Sequence, residues 1–523
     1  MNENMKIETE VLVIGGGISG AGIARDLSLR GINCILVEQG DINCGASGAN
    51  HGLLHSGARY VCKDGETAVD CGKENSLLKR LAPHCIEETG GLFVAVQGDE
   101  ESYIADFPRM CEKYGIPAEE LPLEQIRHME PCVTEHAISV FRVNDATVDP
   151  FMLSLDNVAD AEANGARLLR NKKVTGFDMR GGVIQCARVT DTKTGESGSI
   201  SALQYVNATG AWAGKVAEMA GAALSMIYSK GTLLITQDRI SSRVINRLRK
   251  ASDGDILAPG GTVCIAGTTS VEIEDLDDIR PTFGEVDEII KQGAVMVPEL
   301  ETTRYIRAYS GVRSLVSARN SNGRSVSRNH TLLEHEPDGV ENFITITGGK
   351  LTTFRLMAEK TSDLVAQRLN NTRPCMTGSL PLPKSAKGEW TEPGRSPKIR
   401  ANKSELQGTL ICECEMVSEF MVDRIVQALK AEGASPDLEE VARRSRIGKG
   451  PCQGTFCSFR LAAYLCRIGE LDGEQSIKQI RRFVNERWKG FQPLVRDREL
   501  MRVELQESFL CGFFGIETFS DPL

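Results

Sequence analysis

The apolar residues of the first forty positions fall into blocks of different period. From Val11 to Ile14 every residue is apolar, the pattern of a strand buried on both faces. Gly15, Gly17 and Gly20 break the run, a helical segment follows from Ala21 to Arg30, and Leu36 and Val37 begin a second strand that ends on the acid Glu38. Two later strand-like segments also close on glycine turns: Tyr205 to Ala208 runs into Thr209-Gly210-Ala211-Trp212, and Phe343 to Thr347 into Gly348-Gly349-Lys350. Between them Thr232 to Thr236 and Val263 to Thr268 alternate as strands do, and Thr282 with Glu285 forms a capping box for a helix through Val295. The pattern predicts an α/β fold in which a nucleotide unit is interrupted by an inserted α+β substrate domain.

Beyond residue 379 the pattern changes. Leu380 to Gln407 carries Pro381, Pro383, Pro393 and Pro397 among many Lys, Ser and Gly residues, and reads as an exposed linker. Helical patterns then run from Val417 to Leu429, onward from Arg460, and from Ser476 to Trp488, before an apolar and aromatic end from Leu505 to Phe519. Such an end either packs on its own domain or offers an interaction surface. The expected division is an oxidoreductase domain over 1–379, with nucleotide-binding segments at about 1–80, 145–220 and 340–379. A linker over 380–408, a small mainly helical cysteine domain over 409–470 and a helical extension over 471–523 complete it.

The glycine spacing gives the first domain its chemistry. In GxGxxG, Gly15 allows the tight turn, Gly17 lets the backbone approach a pyrophosphate, and Gly20 permits close helix packing. The amides of the following helix face the phosphates, and Glu38 can accept both hydroxyls of an adenosine ribose. The unit does not recur, so one dinucleotide is expected rather than a flavin with a separate nicotinamide domain. The net charge of -10 over 523 residues argues against nucleic acid as a partner, which would need a concentrated basic face. No apolar run approaches the roughly 20 residues of a membrane span, and a cytoplasmic or peripheral protein is expected.

Two further clusters carry candidate chemistry. Gly45 to Tyr60 reads GASGANHGLLHSGARY; there His55 could take a hydroxyl proton and His51 could contact the cofactor, or either could bond only to backbone. Arg307, Arg313, Arg328 and Lys350 lie in or beside strand-ending or glycine-containing segments, where guanidinium forks suit phosphate or carboxylate oxygens. Of the 16 cysteines, four form a separate pattern, Cys412-x-Cys414 and then Cys452-x4-Cys457. Four thiolates from two loops suit an iron-sulfur cluster; structural zinc and plain buried thiols remain open, although Cys-x-Cys is tight for a zinc knuckle. Gly448, Gly450 and Gly454 let the backbone wrap the second pair.

Taken together, VLVIGGGISGAGIARDLSLRG, NHGLLHSGARY, TVDPF, AYSGVRSL, TGGKLTTFRLMAE and IGKGPCQGTFC resemble the A subunits of anaerobic glycerol-3-phosphate dehydrogenases over nearly the whole chain. The resemblance implies a glutathione-reductase-type FAD-binding fold of the glycine oxidase and glycerol-3-phosphate dehydrogenase group. It also implies a bacterioferritin-associated-ferredoxin-like domain with a 2Fe-2S cluster on Cys412, Cys414, Cys452 and Cys457. FAD, rather than NAD, would be held by Gly15, Gly17, Gly20, Glu38, Gly45, Ser47, His51, Thr209, Gly210, Gly348, Gly349, Leu351 and Thr352. Arg313 and Arg328 would hold the substrate phosphate, with Arg59, Tyr60 and Lys350 lining the substrate side and His55 or Lys350 as base. The implied reaction oxidises glycerol 3-phosphate. Electrons would pass through the cluster to a quinone by way of a partner flavoprotein with an iron-sulfur membrane-anchor subunit, on the cytoplasmic face of the inner membrane. An FMN at a subunit interface is left open. So are two rival readings: a flavin dehydrogenase or oxidase of an amino acid or 2-hydroxy acid, and a non-catalytic electron-transfer subunit. Two positions depart from the family pattern: Ala49, where relatives often carry arginine, and the Cys-x4-Cys spacing, wider than the Cys-x2-Cys of the free ferredoxin.

Overall fold

The computed structural model describes residues 5–277, 279–316, 329–383, 408–431, 433–513 and 515. Arg328 and residues 384–407 of the linker expectation lie outside them, as do 514 and 516–519 of the apolar C-terminal end.

The apolar run at the N-terminus is the centre of an eight-stranded sheet. Met5–Ile14 pairs in parallel with Ser197–Asn207 on one side and Cys34–Val37 on the other, placing Leu12 between Tyr205 and Ile35. Phe343–Gly348 adds in parallel beyond Ser197–Asn207, and Arg167–Leu169 beyond Cys34–Val37. Both faces are covered, so Val11, Leu12 and Val13 are fully buried, as a continuous apolar strand of a parallel sheet should be. On one face the helices Ile18–Leu29, Pro150–Ala163 and Phe354–Arg368 close over Val11, Val13, Leu36 and Val206. On the other, Phe177, Tyr205, Val216 and Phe343 form a second core.

Local expectations and structure differ in two instructive places. The first helix begins at Ile18 rather than Ala21, directly after the turn, with Gly17 as its N-cap residue. The strand expected at Tyr205 begins at Ser197, because its polar first half pairs antiparallel with Val183–Asp191 at the sheet's outer side and carries no apolar run to announce it.

A nine-stranded sheet packs beside the first. Its longest pair is Met226–Thr236 against Tyr305–Val316, antiparallel from Met226 opposite Val316 to Thr236 opposite Tyr305. The helix Phe283–Ala294 lies on it, and the capping box is present: the Thr282 hydroxyl accepts from the Glu285 amide and the Glu285 carboxylate from the Thr282 amide.

Among the described residues the cysteine region is a two-stranded ribbon, Leu410–Cys412 with Val417–Ser418, and five α-helices: Glu419–Ala431, Leu438–Ser445, Cys457–Arg467, Gly473–Phe491 and Asp497–Phe513. It has its own core around Val422, Ile425, Leu438, Val441, Leu461 and Leu465. Among the described residues no helix is long and apolar enough to cross a membrane.

One buried ion pair fastens the Phe354–Arg368 helix to the Gly65–Leu81 helix. Arg355 reaches Glu74 with Nε to Oε2 at 2.9 Å and Nη2 to Oε1 at 2.6 Å, and Nη1 donates to Glu359 at 2.7 Å. Burial raises the Glu74 pKa while Arg355 opposes the rise. Arg355→Met should lower stability by on the order of 3 kcal/mol, because it strands a buried carboxylate. Pairing it with Glu74→Gln should recover much of the loss, measured as urea midpoints followed by circular dichroism.

Candidate active site

The turns at the ends of the parallel strands and the near edge of the second sheet enclose a cleft of about 690 Å³. That is within the roughly 300–1,000 Å³ usual for ligand and cofactor pockets. Gly15, Gly17 and Glu38 line one end; His51, His55, Tyr60, Arg313 and Lys350 also border the cleft.

The nucleotide end is built from backbone proximity. Gly15 has φ +111°, and a Cβ there would stand 2.7 Å from the Ala208 carbonyl oxygen. Gly20 lies under the turn rather than on the cleft wall, and a Cβ on it would collide with the Gly15 carbonyl, so the helix seats only without one. Glu38 accepts from the Gly16 amide at 2.7 Å and the Gly40 amide at 2.8 Å. Burial raises its pKa against those two amides. The Ser47 hydroxyl accepts from the Ile18 amide at 3.0 Å, drawing the Gly45–Ala49 loop over the helix N-terminus. Main-chain close approach, a helix N-terminus and a carboxylate at the second strand's tip fit a dinucleotide. Gly45, Thr209, Gly210, Gly348, Gly349 and Leu351 continue the wall.

The histidine loop is held from outside at consecutive residues. Asn75 donates to the Leu54 carbonyl at 2.9 Å, the His55 amide to the Thr352 hydroxyl at 3.0 Å, and the Ser56 amide to Asp145 at 2.7 Å. Thr352 is fully buried, and its hydroxyl fixes the His55 backbone from behind the cleft wall. The His55 ring meets Tyr60 edge-on, with the hydroxyl 3.4 Å from Nε2. The Lys350 ammonium sits 4.4 Å from the Tyr60 ring centroid, a cation–π contact. His51 accepts the Leu53 amide at Nδ1 over 3.1 Å, which in the neutral ring leaves the proton on Nε2.

Arg313 is braced by its own sheet: Nη1 donates to the Ser229 hydroxyl at 3.3 Å and the Thr269 carbonyl at 3.1 Å, and Nη2 to the Thr268 hydroxyl. Arg59 departs from its expected place. Its guanidinium lies 3.4 Å from the buried Asp255, which Arg249 also holds at 2.8 Å, and does not line the cleft.

Several supporting residues escaped the sequence reading. Asp145 is fully buried; burial raises its pKa against the Ser56 and Asn246 hydrogen bonds that hold it beneath the histidine loop. Asp149, within TVDPF, caps the Pro150–Ala163 helix by accepting from the Phe151 and Met152 amides at 2.9 and 3.0 Å. An Asp-Pro pair ahead of an apolar run is a legible N-cap signal. Tyr309 donates to the Asn50 carbonyl at 2.7 Å, and Ala49 lies flat on Gly311, where a Cβ would strike the Ala49 carbonyl.

The four cysteines converge. Cys457 hydrogen-bonds to Cys412 and Cys452; this lowers the pKa of both, that of Cys452 to about 5, and raises its own. The Cys414 sulfur is 3.8 Å from that of Cys452, and burial pushes its thiol up to about 11. Amides of Glu415 and Gly448 point at Cys412, and those of Gly454 and Thr455 at Cys452. Gly450 passes so close to Cys414 that a Cβ would strike it.

A parallel nucleotide sheet sharing its cleft with a second, mostly antiparallel sheet is the plan of a flavin-dependent oxidoreductase. Residues 10–364 match the family described as DAO, FAD dependent oxidoreductase, and the chain belongs to it. More narrowly, it belongs with the A subunits of anaerobic glycerol-3-phosphate dehydrogenases. It is 43% identical to that subunit of Escherichia coli K12, with 97% of each chain covered, and 39% identical to that of Haemophilus influenzae, covering 98% of this chain and 94% of the relative. In fold it resembles the glycerol-3-phosphate dehydrogenase of Bacillus halodurans solved with FAD, at TM-score 0.67 and 22% identity over 94% and 97% of the two chains. It also resembles the glycine oxidase of Geobacillus kaustophilus, at TM-score 0.58 and 20% identity over 72% and 99%.

Gly311→Ala should push Ala49 and the loop behind it away from the cleft. We expect purified protein to lose most of its FAD while keeping its circular dichroism spectrum, checked by the flavin-to-protein absorbance ratio.

Proposed function

We propose that the chain oxidises sn-glycerol 3-phosphate to dihydroxyacetone phosphate, and that FAD would be held in the cleft by the glycine turn, Glu38 and His51. The observation that carries the reading is the convergence of His55, Tyr60, Lys350 and a braced Arg313 on the same cleft as the nucleotide turn. Bound FAD supplies the hydride acceptor for the alcohol carbon. The protein's part is placement and proton transfer. Arg313, held rigid by Ser229, Thr268 and Thr269, presents charge to the substrate phosphate, and Arg328 is assigned as its partner in that role. Lys350 and Tyr60 flank the substrate. His55 takes the hydroxyl proton, its loop fixed by Thr352 and Asp145, and Lys350 is the second candidate for base.

The cysteine centre is assigned as a 2Fe-2S site on Cys412, Cys414, Cys452 and Cys457. Its four side chains converge, and backbone amides meet Cys412 and Cys452, donors that would bond to thiolate sulfur in a cluster. Such a centre would give electrons a one-electron exit toward quinone at the cytoplasmic face of the membrane, by way of a partner flavoprotein with an iron-sulfur membrane-anchor subunit. The last described helix supports docking there. Glu507 turns inward to Arg487 and Cys511 packs toward the domain core, while Met501, Leu505 and Phe509, one turn apart, are 62%, 57% and 69% exposed.

Arg313→Ala should lower kcat/KM for glycerol 3-phosphate by about 2 to 4 kcal/mol of transition-state binding and affect glycerol far less. Equal losses on both substrates would remove the phosphate role. His55→Ala, with FAD retained, should slow anaerobic flavin reduction by about two to four orders of magnitude in stopped flow; an unchanged rate would transfer the base to Lys350. Anaerobically prepared protein should hold about two irons and two acid-labile sulfides per chain, whereas stoichiometric zinc without sulfide would mark a structural site.

A further inference from the structure

The nucleotide loop and the cysteine domain meet at one buried carboxylate. Asp41, just past the ribose acid Glu38, is 4% exposed and takes Arg444 through both oxygens, Nη1 to Oδ2 at 2.7 Å and Nη2 to Oδ1 at 3.0 Å. Arg443 approaches Oδ2 at 3.3 Å and Arg170 approaches Oδ1 at 3.5 Å. Burial disfavours the charged carboxylate, but Arg444 and its neighbours outweigh that cost and hold the group ionised far below the usual range.

On the nucleotide side the loop is tied to the glycine turn. The Asn43 amide donates to the Gly16 carbonyl at 3.1 Å, Glu38 accepts from the amides of both Gly16 and Gly40, and the Ile42 methyl lies 3.0 Å from where a Gly16 Cβ would stand. The loop therefore cannot shift without moving Gly16 and Glu38. On the other side, Arg444 lies on the Leu438–Ser445 helix, and its Nη1 also donates to the Glu440 carbonyl at 3.1 Å. Glu440 in turn meets Lys193 at 3.4 Å and Arg170 at 3.9 Å. The chain leaves this helix through Arg446, whose Nε reaches Glu415 beside Cys414 at 3.1 Å, and runs on to Lys449 and Cys452. The Lys449 ammonium lies 4.3 Å from the Phe151 ring centroid, and the Phe151 ring edge comes within 3.1 Å of a Cβ built on Gly48 in the Gly45–Ala49 loop (the flavin loop). The cysteine domain is thus fastened at Asp41 to the loop after Glu38 and at Phe151 to the start of the Pro150–Ala163 helix.

A buried pair of this kind is strongly unfavourable when one partner leaves, so the geometry of the nucleotide loop is tied to the seating of the Leu438–Ser445 helix. We propose that Asp41 is a positioning residue whose clamp by Arg444 couples occupancy of the dinucleotide site to docking of the cysteine domain. FAD held at Glu38 keeps the cysteine loop against the flavin loop, and the docked domain slows FAD release. By linkage the two effects are equal in free energy. The inference rests on the assignment of FAD to this cleft.

The test uses the full-length protein, prepared anaerobically with its metal centre intact, and FAD as the probe. Hydrogen exchange of the Leu438–Ser445 helix is compared in FAD-depleted and FAD-saturated protein, and FAD affinity is read from quenching of its fluorescence. FAD should slow exchange of that helix. Arg444→Gln, which does not line the cleft, should weaken FAD binding by about tenfold and abolish the FAD-linked protection, and Arg444→Lys should restore part of both. An Arg444→Gln protein that binds FAD as the parent does would overturn the proposal, as would a parent whose helix exchange ignores FAD. Should Arg444→Gln fail to fold, Asp41→Asn gives a second route: weakened FAD binding together with loss of the FAD-linked protection supports coupling, and parental FAD affinity refutes it. A parent chain that binds no FAD would sink the cofactor assignment and the proposal together, a result distinguished by appearing before any substitution.

Discussion

Everything in the first domain hangs on how closely a helix can approach a turn. The Ile18–Leu29 helix starts at once after the glycine turn because Gly20 has no side chain to set against the Gly15 carbonyl, and Gly15 can take a positive φ against Ala208. A side chain at either position would lift the helix from the strand ends. That approach places a helix N-terminus, the Gly16 amide and the Glu38 carboxylate around one space. The sheet contributes the other half of the constraint: Met5–Ile14 is covered on both faces and paired on both sides, so the turn it carries has little freedom to shift.

Around this fixed point, polar chemistry is delivered by long-range partners. The histidine loop owes its position to Asn75, Asp145 and Thr352, which come from three separate stretches of chain. Arg313 is aimed by two strands of the second sheet and the turn after Gly267. These supports lie apart from the nucleotide turn, yet each steadies a group that faces the same cleft from a different layer. The division of labour is physical: the parallel sheet supplies backbone, dipoles and, just past its Phe343–Gly348 strand, Lys350, while the second sheet supplies Arg313. The cysteine domain contributes no wall residue to the cleft among the described residues but is held to the loop after Glu38 through Asp41 and to the Pro150–Ala163 helix through Phe151.

What the sequence determined by itself was whatever depends on neighbours in the chain. The GxGxxG turn, the acid ending the second strand, the Thr282 capping box and the paired cysteines are short-range patterns, and the buried run Val11–Ile14 announces its own environment through composition. Even there the polar half of the Ser197–Asn207 strand went unread, because pairing with Val183–Asp191 rather than burial makes it a strand. Tertiary structure alone decided the rest. Arg59 carries a motif, but only the fold sets its guanidinium 3.4 Å from the buried Asp255; Thr352 carries one too, but only the fold brings its hydroxyl to the His55 amide. Asp41 carries no motif at all, since its meaning comes from Arg444, brought to it from the far end of the chain. An ion pair or a long-range hydrogen bond is a property of two positions and the fold between them, so no single stretch of sequence can encode it.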